Sequence, residues 1–322
     1  MVYSIFSKMC KKTNLNRRDY YTFKQSEETP VSKLDDLRKK VKENPNDSEL
    51  HWNLGCALAY SGLWDEAWLE LEWRMKGHRP SMLRRAAFFK PNWNGEQGKV
   101  LIYQDQGFGD LLMWIRYGLL IPNFVVEVSA ELYRFMKFQK FNVVAKGLLI
   151  PEYDYVIPAG SLPCRFGTVY NPSPYLKLPE SKKTTDKKRV GIAWAGSSGY
   201  KDDHLRSSTA DDFARLIKDG REIVSLMVSD SDDRFEDYSL KLGDFHDTAE
   251  LISGCDVIVS VDTAVAHLAA AAGKEVHLVL GHEHDWRWGR ESSTTWYPTM
   301  KLWRQEKFGD WGILSRISEE IG

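Results

Sequence analysis

Three short stretches of this chain combine residue types that could do chemistry. The first is Gln104-Asp105-Gln106-Gly107-Phe108-Gly109-Asp110, after the apolar run Lys99–Tyr103 and before the helical run DLLMWIRYGLL. Glycines after a strand let the backbone turn sharply and let a ligand come close. A dinucleotide fingerprint would need a third glycine where Leu112 stands. Asp110 also falls at the helix start, where a pyrophosphate needs positive potential and would meet a carboxylate instead. The loop, with Gln106, Gly107 and Gly109, is therefore suited to presenting a carboxylate to a cleft. Asp110 reads equally as a helix cap or as a general base.

The second stretch is VGIAWAGSSGYKDDHLRSS, residues 190–208. A strand runs into a Gly/Ser loop followed by Lys201, His204 and Arg206, a combination that suits a diphosphate; a solvated charged loop would look the same. The third is SVDTAVAHLAAAAG, residues 260–273. Asp262 ends a strand, and Thr263 and Ala264 open a helix with a small-residue first turn, whose bare amides form an anion site. Asp262 could accept hydrogen bonds from sugar or ribose hydroxyls. His267, four residues after Thr263, shares its helical face and reads more readily as a satisfied packing residue than as a catalyst. The aromatic and charged stretch HEHDWRWGRESSTTWYP, residues 282–298, follows a strand end and should line the cleft, with Trp286 and Arg287 in its middle.

These loops need elements to hold them. Leu34, Leu37 and Val41 lie at helical spacing, and Asn44-Pro45-Asn46-Asp47 closes that helix and caps the next. HWNLGCALAYSGLWDEAWLELEWR, with Leu54-Gly55, Ala57, Ser61-Gly62, Trp64 and Glu66-Ala67, resembles a tetratricopeptide repeat. Only about one and a half repeats are visible, fewer than the three or so a free-standing solenoid needs, so the segment should pack on something else. A structural cap is the simpler reading, and a protein partner docked through the repeat is the other. After Trp93-Asn94-Gly95 strands and helices alternate. Strands are expected at 99–103, 124–129 and 155–157, with a helix near 131–140. The polar run Pro179–Arg189 reads as a linker with a solvated basic cluster. A second cycle follows, with strands at 189–194, 223–228, 256–261 and 276–280. Its helices are one that Thr209 caps, with Phe213, Leu216 and Ile217 on one face and Gly220 at its end, then 248–253 and 263–272. The expected class is α/β: two Rossmann-like domains behind a short all-α segment. The divisions are an irregular lead-in over 1–30, a helical segment over 31–92, and Rossmann-like domains over 93–180 and 189–322. Two such domains in tandem leave a cleft at their carboxyl strand ends.

The chain has 322 residues, 43% hydrophobic and 28% charged, which is an ordinary globular composition. With 44 basic and 45 acidic residues, the net charge of −1 argues against a broad nucleic-acid surface. Cys10, Cys56, Cys164 and Cys255 form no CxxC pair, so neither a zinc site nor a redox motif is expected. No apolar run reaches the roughly 18 residues of a membrane helix. The N-terminus places its apolar residues before its charge, the reverse of a secretory signal, which predicts a cytoplasmic location.

Taken together, QGFGDLLMWIRY, GIAWAG…KDDHLRS, DVIVSVDTAVAHLAAAAG and DWRW…WYPTMKLWRQ…GDW resemble the ADP-heptose:lipopolysaccharide heptosyltransferase-like family, and more closely its tetratricopeptide-containing relatives. The resemblance spans residues 45–315 in the same order and spacing. It implies a GT-B fold and inverting sugar transfer without a metal or cofactor. The nucleotide-diphosphate sugar donor would bind mainly on the C-terminal domain and the acceptor mainly on the N-terminal one. By position, Asp110 matches the proposed general base and Lys201 the basic residue after the Gly/Ser loop, with Arg206 a second phosphate candidate. Asp262, Thr263 and His267 match the nucleotide-binding element, in which Ala264 replaces a frequent glycine. The sugar, the base and the acceptor (a glycan, a protein hydroxyl or a hydroxylated nucleobase) stay open. Two other readings remain: an inactive nucleotide-sugar-binding scaffold, and a nicotinamide-dependent oxidoreductase, against which the missing third glycine and Asp110 count.

Overall fold

The chain is described by a computed structural model covering residues 30–77, 90–167, 174–181, 183 and 185–322. The irregular lead-in expected over 1–30 lies, apart from residue 30, outside the described residues. Met1–Gly77 and His78–Gly322 are two compact units.

In the first unit, α1 (Pro30–Glu43) buries Leu34 and Leu37. Asp47 then caps α2 (Ser48–Tyr60), its carboxylate accepting from the amides of Glu49 and Leu50 at 2.9 and 3.1 Å. Gly62, at φ +78°, makes the turn into α3 (Trp64–Leu71), which a 3₁₀ turn at Glu72–Met75 extends. Gly55 is where α2 meets α3. A Cβ there would stand 2.9 Å from both the backbone N and the Cγ of Leu71. The small residue is thus required by the closeness of the two helices.

The second unit holds two parallel sheets. The first comprises β1 (Val100–Tyr103), β2 (Phe124–Val128), β3 (Val143–Ala145) and β4 (Tyr155–Pro158), in the order β3-β2-β1-β4. Its helices are α4 (Phe108–Gly118), α5 (Ala130–Phe138) and α6 (Leu162–Phe166). Every residue of β1 is buried, as a strand covered on both faces requires.

The second sheet has β5 (Lys188–Ala193), β6 (Arg221–Ser225), β7 (Glu236–Asp237), β8 (Val257–Val261), β9 (Glu275–Leu280) and β10 (Met300–Arg304), in the order β10-β9-β8-β5-β6-β7. Its helices are α7 (Ala210–Phe213), α8 (Phe245–Ser253), α9 (Ala264–Ala271) and α10 (Ile313–Glu320). Val190, Ile192, Val257 and Val259 of the central strands share a core with Phe213, Leu216, Leu314 and Ile317. The strand order reverses beside β1 in the first sheet and between β5 and β8 in the second. Ligands of open α/β sheets bind at such reversals, beyond the carboxyl strand ends. The α/β architecture with two parallel sheets and a leading helical segment is the one expected.

Several elements differ from expectation. The helix that Thr209 caps is one turn long, followed by a 3₁₀ turn at Ala214–Leu216. Ile217 is extended and 49% exposed instead of sharing the buried face. Phe213 and Leu216, three apart, already fill the core, and the Arg221 guanidinium takes the Leu216 carbonyl at 3.1 Å, which stops the helix. The strand expected over 223–228 is drawn back to Arg221–Ser225, leaving Val228 exposed. The basic cluster of the linker is partly paired: Lys183 Nζ lies 2.7 Å from Asp256 Oδ2, and β5 already begins at Lys188. The short strands β3 and β7, the edge strand β10 and helices α6 and α10 were not anticipated. Among the described residues no helix is long and apolar enough to cross a membrane.

Candidate active site at the carboxyl ends of the two sheets

The loop after β1 is held rigidly before it presents anything. Gln104 is buried, and its side-chain Oε1 accepts from the Ser129 amide and hydroxyl at 3.0 and 2.9 Å. Asp105, also buried, accepts from the Gly160 amide at 3.0 Å across the strand-order reversal. Gln106 offers its carbonyl to the Gln104 side-chain amide at 3.2 Å. Gly107 stands at the N-cap of α4, and Asp110 Oδ2 accepts from its amide at 3.0 Å. The capping role foreseen for Asp110 is therefore real, and it leaves Oδ1 facing outward. That oxygen pairs with Arg287 Nη2 from the turn after β9. Arg287 Nη1 lies 2.9 Å from Asp285, whose carboxylate also caps the 3₁₀ turn Trp286–Trp288 by accepting from the Arg287 amide at 3.0 Å. The guanidinium sits over the Trp286 ring at 4.7 Å.

The second sheet supplies the opposite wall. Asp262 follows β8; its Oδ2 accepts from Trp288 Nε1 at 2.8 Å and its carbonyl from Arg206 Nη1 at 2.7 Å. Thr263 is the N-cap of α9, its hydroxyl 3.0 Å from that of Ser260, and Ala264 begins the helix. His267 Nε2 is 3.8 Å from Asp262 Oδ1, Nδ1 is 2.9 Å from the Tyr297 hydroxyl, and the ring stacks on Trp288. The heads of α4 and α9 meet at Gly109, where a Cβ would stand 2.7 Å from His267 Cδ2 and 3.6 Å from Ala264 Cα. Arg206 is fixed a second time by Asp203 at 2.8 Å, and Gly196 leaves room for its guanidinium. Lys201, on the same loop, is exposed and pairs with none of the described residues.

The electrostatics follow from this crowding. Burial pushes the Asp110 carboxyl up, opposed by Arg287 and reinforced by Asp285 and Asp105. Burial also raises Asp262, and Asp285 adds to it against Arg206, the Trp288 hydrogen bond and Arg287. Burial lowers the His267 imidazole well below its usual value, helped by Arg287, Arg116 and Arg206, so it is neutral at pH 7. Burial works against the Arg287 charge, but Asp110, Asp285 and Asp262 outweigh it and hold the guanidinium firmly protonated. The Asp110 and Asp262 side chains keep 20% and 15% exposure, enough for a ligand to touch both.

The structure thus brings Asp110, Arg287, Asp262, Thr263, Ala264, His267 and Arg206 into one neighbourhood and leaves Lys201 outside it. Sequence reasoning did not single out Asp285 and Trp288, which flank Arg287, nor the group behind the wall. There the buried Arg116 guanidinium donates to the carbonyls of Met113 and Trp296 at 2.9 and 2.8 Å and to the Tyr175 hydroxyl at 3.0 Å. The dense aromatic and charged run 282–298 was the available signal. Among the described residues no group of three or more His, Cys, Asp or Glu could hold a metal ion.

Residues 241–295 match the family model for glycosyltransferase family 9 (heptosyltransferase). That segment contains Asp262, Thr263, His267 and the Asp285–Trp288 turn. Among solved structures, the E. coli heptosyltransferase WaaC with ADP is similar at 13% identity over 70% of this chain and 100% of that one, with a TM-score of 0.48. A glycosyl transferase family 9 structure from Veillonella parvula is similar at 10% identity over 71% and 96%, with a TM-score of 0.46. The dodecameric iron-containing heptosyltransferase TibC, in complex with ADP-D-beta-D-heptose, is similar at 12% identity over 68% of this chain and 66% of that one, with a TM-score of 0.45. No curated protein matches the sequence. The family read from the four motifs and the family whose model matches are the same, and the match indicates a glycosyltransferase enzyme.

Proposed function

We propose that this heptosyltransferase-like glycosyltransferase moves a sugar from a nucleotide-diphosphate sugar to an acceptor hydroxyl, with inversion and without a metal ion. The observation that carries the reading is the placement of Asp110. Its carboxylate stands at the head of α4, on the wall made by the first sheet, opposite Asp262 and the first turn of α9 on the second. In the proposed step the acceptor oxygen bonds to the anomeric carbon as the bond from that carbon to the diphosphate oxygen breaks. The electron pair leaves with the diphosphate, and Asp110 takes the hydroxyl proton. A base raised by burial accepts that proton more readily near neutral pH. Arg206 and the amides at Thr263 and Ala264 would stabilise the departing charge, with Lys201 able to add to it from its loop. Asp262 would accept from ribose or sugar hydroxyls, and neutral His267 would pack beside it.

We further read the helical segment as tetratricopeptide-like and the enzyme as cytoplasmic, on the sequence patterns given above. The acceptor is a glycan, a protein hydroxyl or a hydroxylated nucleobase. Titrating the protein with nucleoside diphosphates and their sugars while following thermal unfolding tests the reading. A ligand of the folded state raises the midpoint once its concentration exceeds its dissociation constant. A shift with one nucleotide identifies the donor's base; no shift with any would sink the transfer reading and favour a scaffold.

A further inference from the structure

Arg287 is the cation that three cleft carboxylates share. Asp110 holds its Nη2 and Asp285 its Nη1, while Asp262 adds its charge from the end of β8. Its Nε is buried and has no acceptor among the described residues. The other charges of this wall are committed differently. Arg206 is tied to Asp203 and to the Asp262 carbonyl, and Lys201 is exposed and pairs with none of the described residues. Among the described residues, Arg287 is therefore the well-placed cation whose partner is also the candidate base. Both oxygens of Asp110 are engaged, one by the Gly107 amide and one by Arg287. Each carboxylate oxygen can still accept a further hydrogen bond, but the Arg287 charge lowers the proton affinity that a base needs, and the Gly107 amide belongs to the helix itself.

Resting on the transfer reading above, we propose that Arg287 gates the base. In the chain without ligand it neutralises Asp110; when the donor arrives it turns its guanidinium to the diphosphate and leaves the Asp110 carboxylate to the acceptor. A diphosphate offers a fork-binding guanidinium at least two anionic oxygens in bidentate geometry. The unused Nε adds a donor that the carboxylates do not satisfy. Donor binding then precedes proton abstraction, because it removes the charge that holds down the proton affinity of Asp110. Asp285, which holds Nη1 and caps the same turn, is the pivot.

The movement has a titration signature. Asp110 faces Arg287 and Asp285 from the turn after β9 and Asp105 from its own loop, while neutral His267 lies against Gly109. When the guanidinium leaves, the single lowering charge goes and the carboxylate's midpoint rises. The test is a ¹³C NMR titration of Asp-labelled protein, with the Asp110 signal assigned by its loss in Asp110→Asn, alone and with saturating ADP, UDP, GDP or CDP. Calorimetry with the same diphosphates runs alongside, on wild type and Arg287→Met. The expected result is one diphosphate that binds and moves the Asp110 midpoint upward. Arg287→Met should bind it about 10- to 100-fold more weakly, with the midpoint already raised in its absence. An unmoved midpoint at saturation, or undiminished affinity in Arg287→Met, overturns the gate while leaving the transfer reading intact. Failure of wild type to bind any diphosphate removes both. The wild-type titration needs no variant, so a poorly folding Arg287→Met leaves the question answerable.

Discussion

Asp110 and Arg287, 177 residues apart in sequence, form an ion pair that joins the head of α4 to the turn after β9. Each partner is fixed by its own element before they meet, Asp110 by the Gly107 amide and Arg287 by Asp285. Little side-chain entropy remains to be lost in forming the pair, which separates it from ordinary surface ion pairs. The two side chains are 13% and 20% exposed, so the cost of desolvating them offsets much of the Coulombic gain and the pair contributes little net stability.

Asp110→Asn should therefore separate chemistry from binding. The amide oxygen still accepts from Gly107, so α4 keeps its cap. A positioned general base contributes about 10²- to 10⁴-fold, and turnover should fall by that factor. Nucleotide affinity, measured by calorimetry, should be retained or rise, because the substitution removes the charge that competes with a diphosphate for Arg287. Undiminished release of nucleoside diphosphate from donor and acceptor would remove Asp110 from the chemistry.

Gly109 sets how closely the two sheets approach at the site. In Gly109→Ala, the added Cβ meets the His267 ring at 2.7 Å, and that ring is pinned by Tyr297 and Trp288 and has little room to yield. Overpacking costs about 1–3 kcal/mol, against a helix-propensity gain of up to about 1 kcal/mol for replacing glycine. Urea denaturation should show a net loss, together with weaker nucleotide binding. A more stable variant would mean that α4 and α9 separate easily.

His267 also makes stability depend on pH. Its folded pKa is depressed, so only the unfolded chain takes the proton as pH falls below about 6.5. Stability from this group is complete above that value and is lost by about 1.4 kcal/mol per pH unit below it. Asp110 and Asp262 work in the opposite sense: raised in the fold, they bind protons first in the native state and offset part of the loss as pH falls. His267→Gln should flatten the decline between pH 6.5 and 5 in urea unfolding. An unchanged slope would show that the imidazole is charged in the fold.

Much of this arrangement could be read from local pattern. The strand-loop-helix units at Gly107–Asp110 and Asp262–His267 announce themselves within a dozen residues, because glycine turns, caps and helical spacing are local physics. Gly109 shows the limit. Its need for a bare Cα comes from His267, far along the chain, and no local rule exposes that. The one-turn helix at Thr209 fails for the same reason, since Arg221 claims the Leu216 carbonyl from the following strand. Lys201 and Arg206 look alike in sequence, and only the fold ties one to Asp203 and leaves the other exposed.

Arg116 is the strongest stability test of the wall behind the site. Its guanidinium is buried yet has no carboxylate partner among the described residues; its three donor nitrogens go to Met113, Trp296 and Tyr175. The rings of Tyr175 and Tyr297 lie 4.6 and 4.8 Å from it and supply the compensating negative faces. These partners come from α4, from the segment leading into the linker and from the loop before β10, so one side chain fastens three separate parts of the fold. Arg116→Met keeps the stem but strands the Trp296 carbonyl and removes one partner of the Tyr175 hydroxyl, which keeps the Leu112 carbonyl at 2.9 Å, at about 1.5–3 kcal/mol for the hydrogen bonds to a charged group. Arg116→Lys should not restore it, because an ammonium cannot span a planar three-way fork. Equilibrium unfolding in urea should show both variants losing stability, and intrinsic Trp fluorescence should report Trp296 loosening. Wild-type stability in Arg116→Lys would show that charge alone suffices and that the fork geometry is incidental.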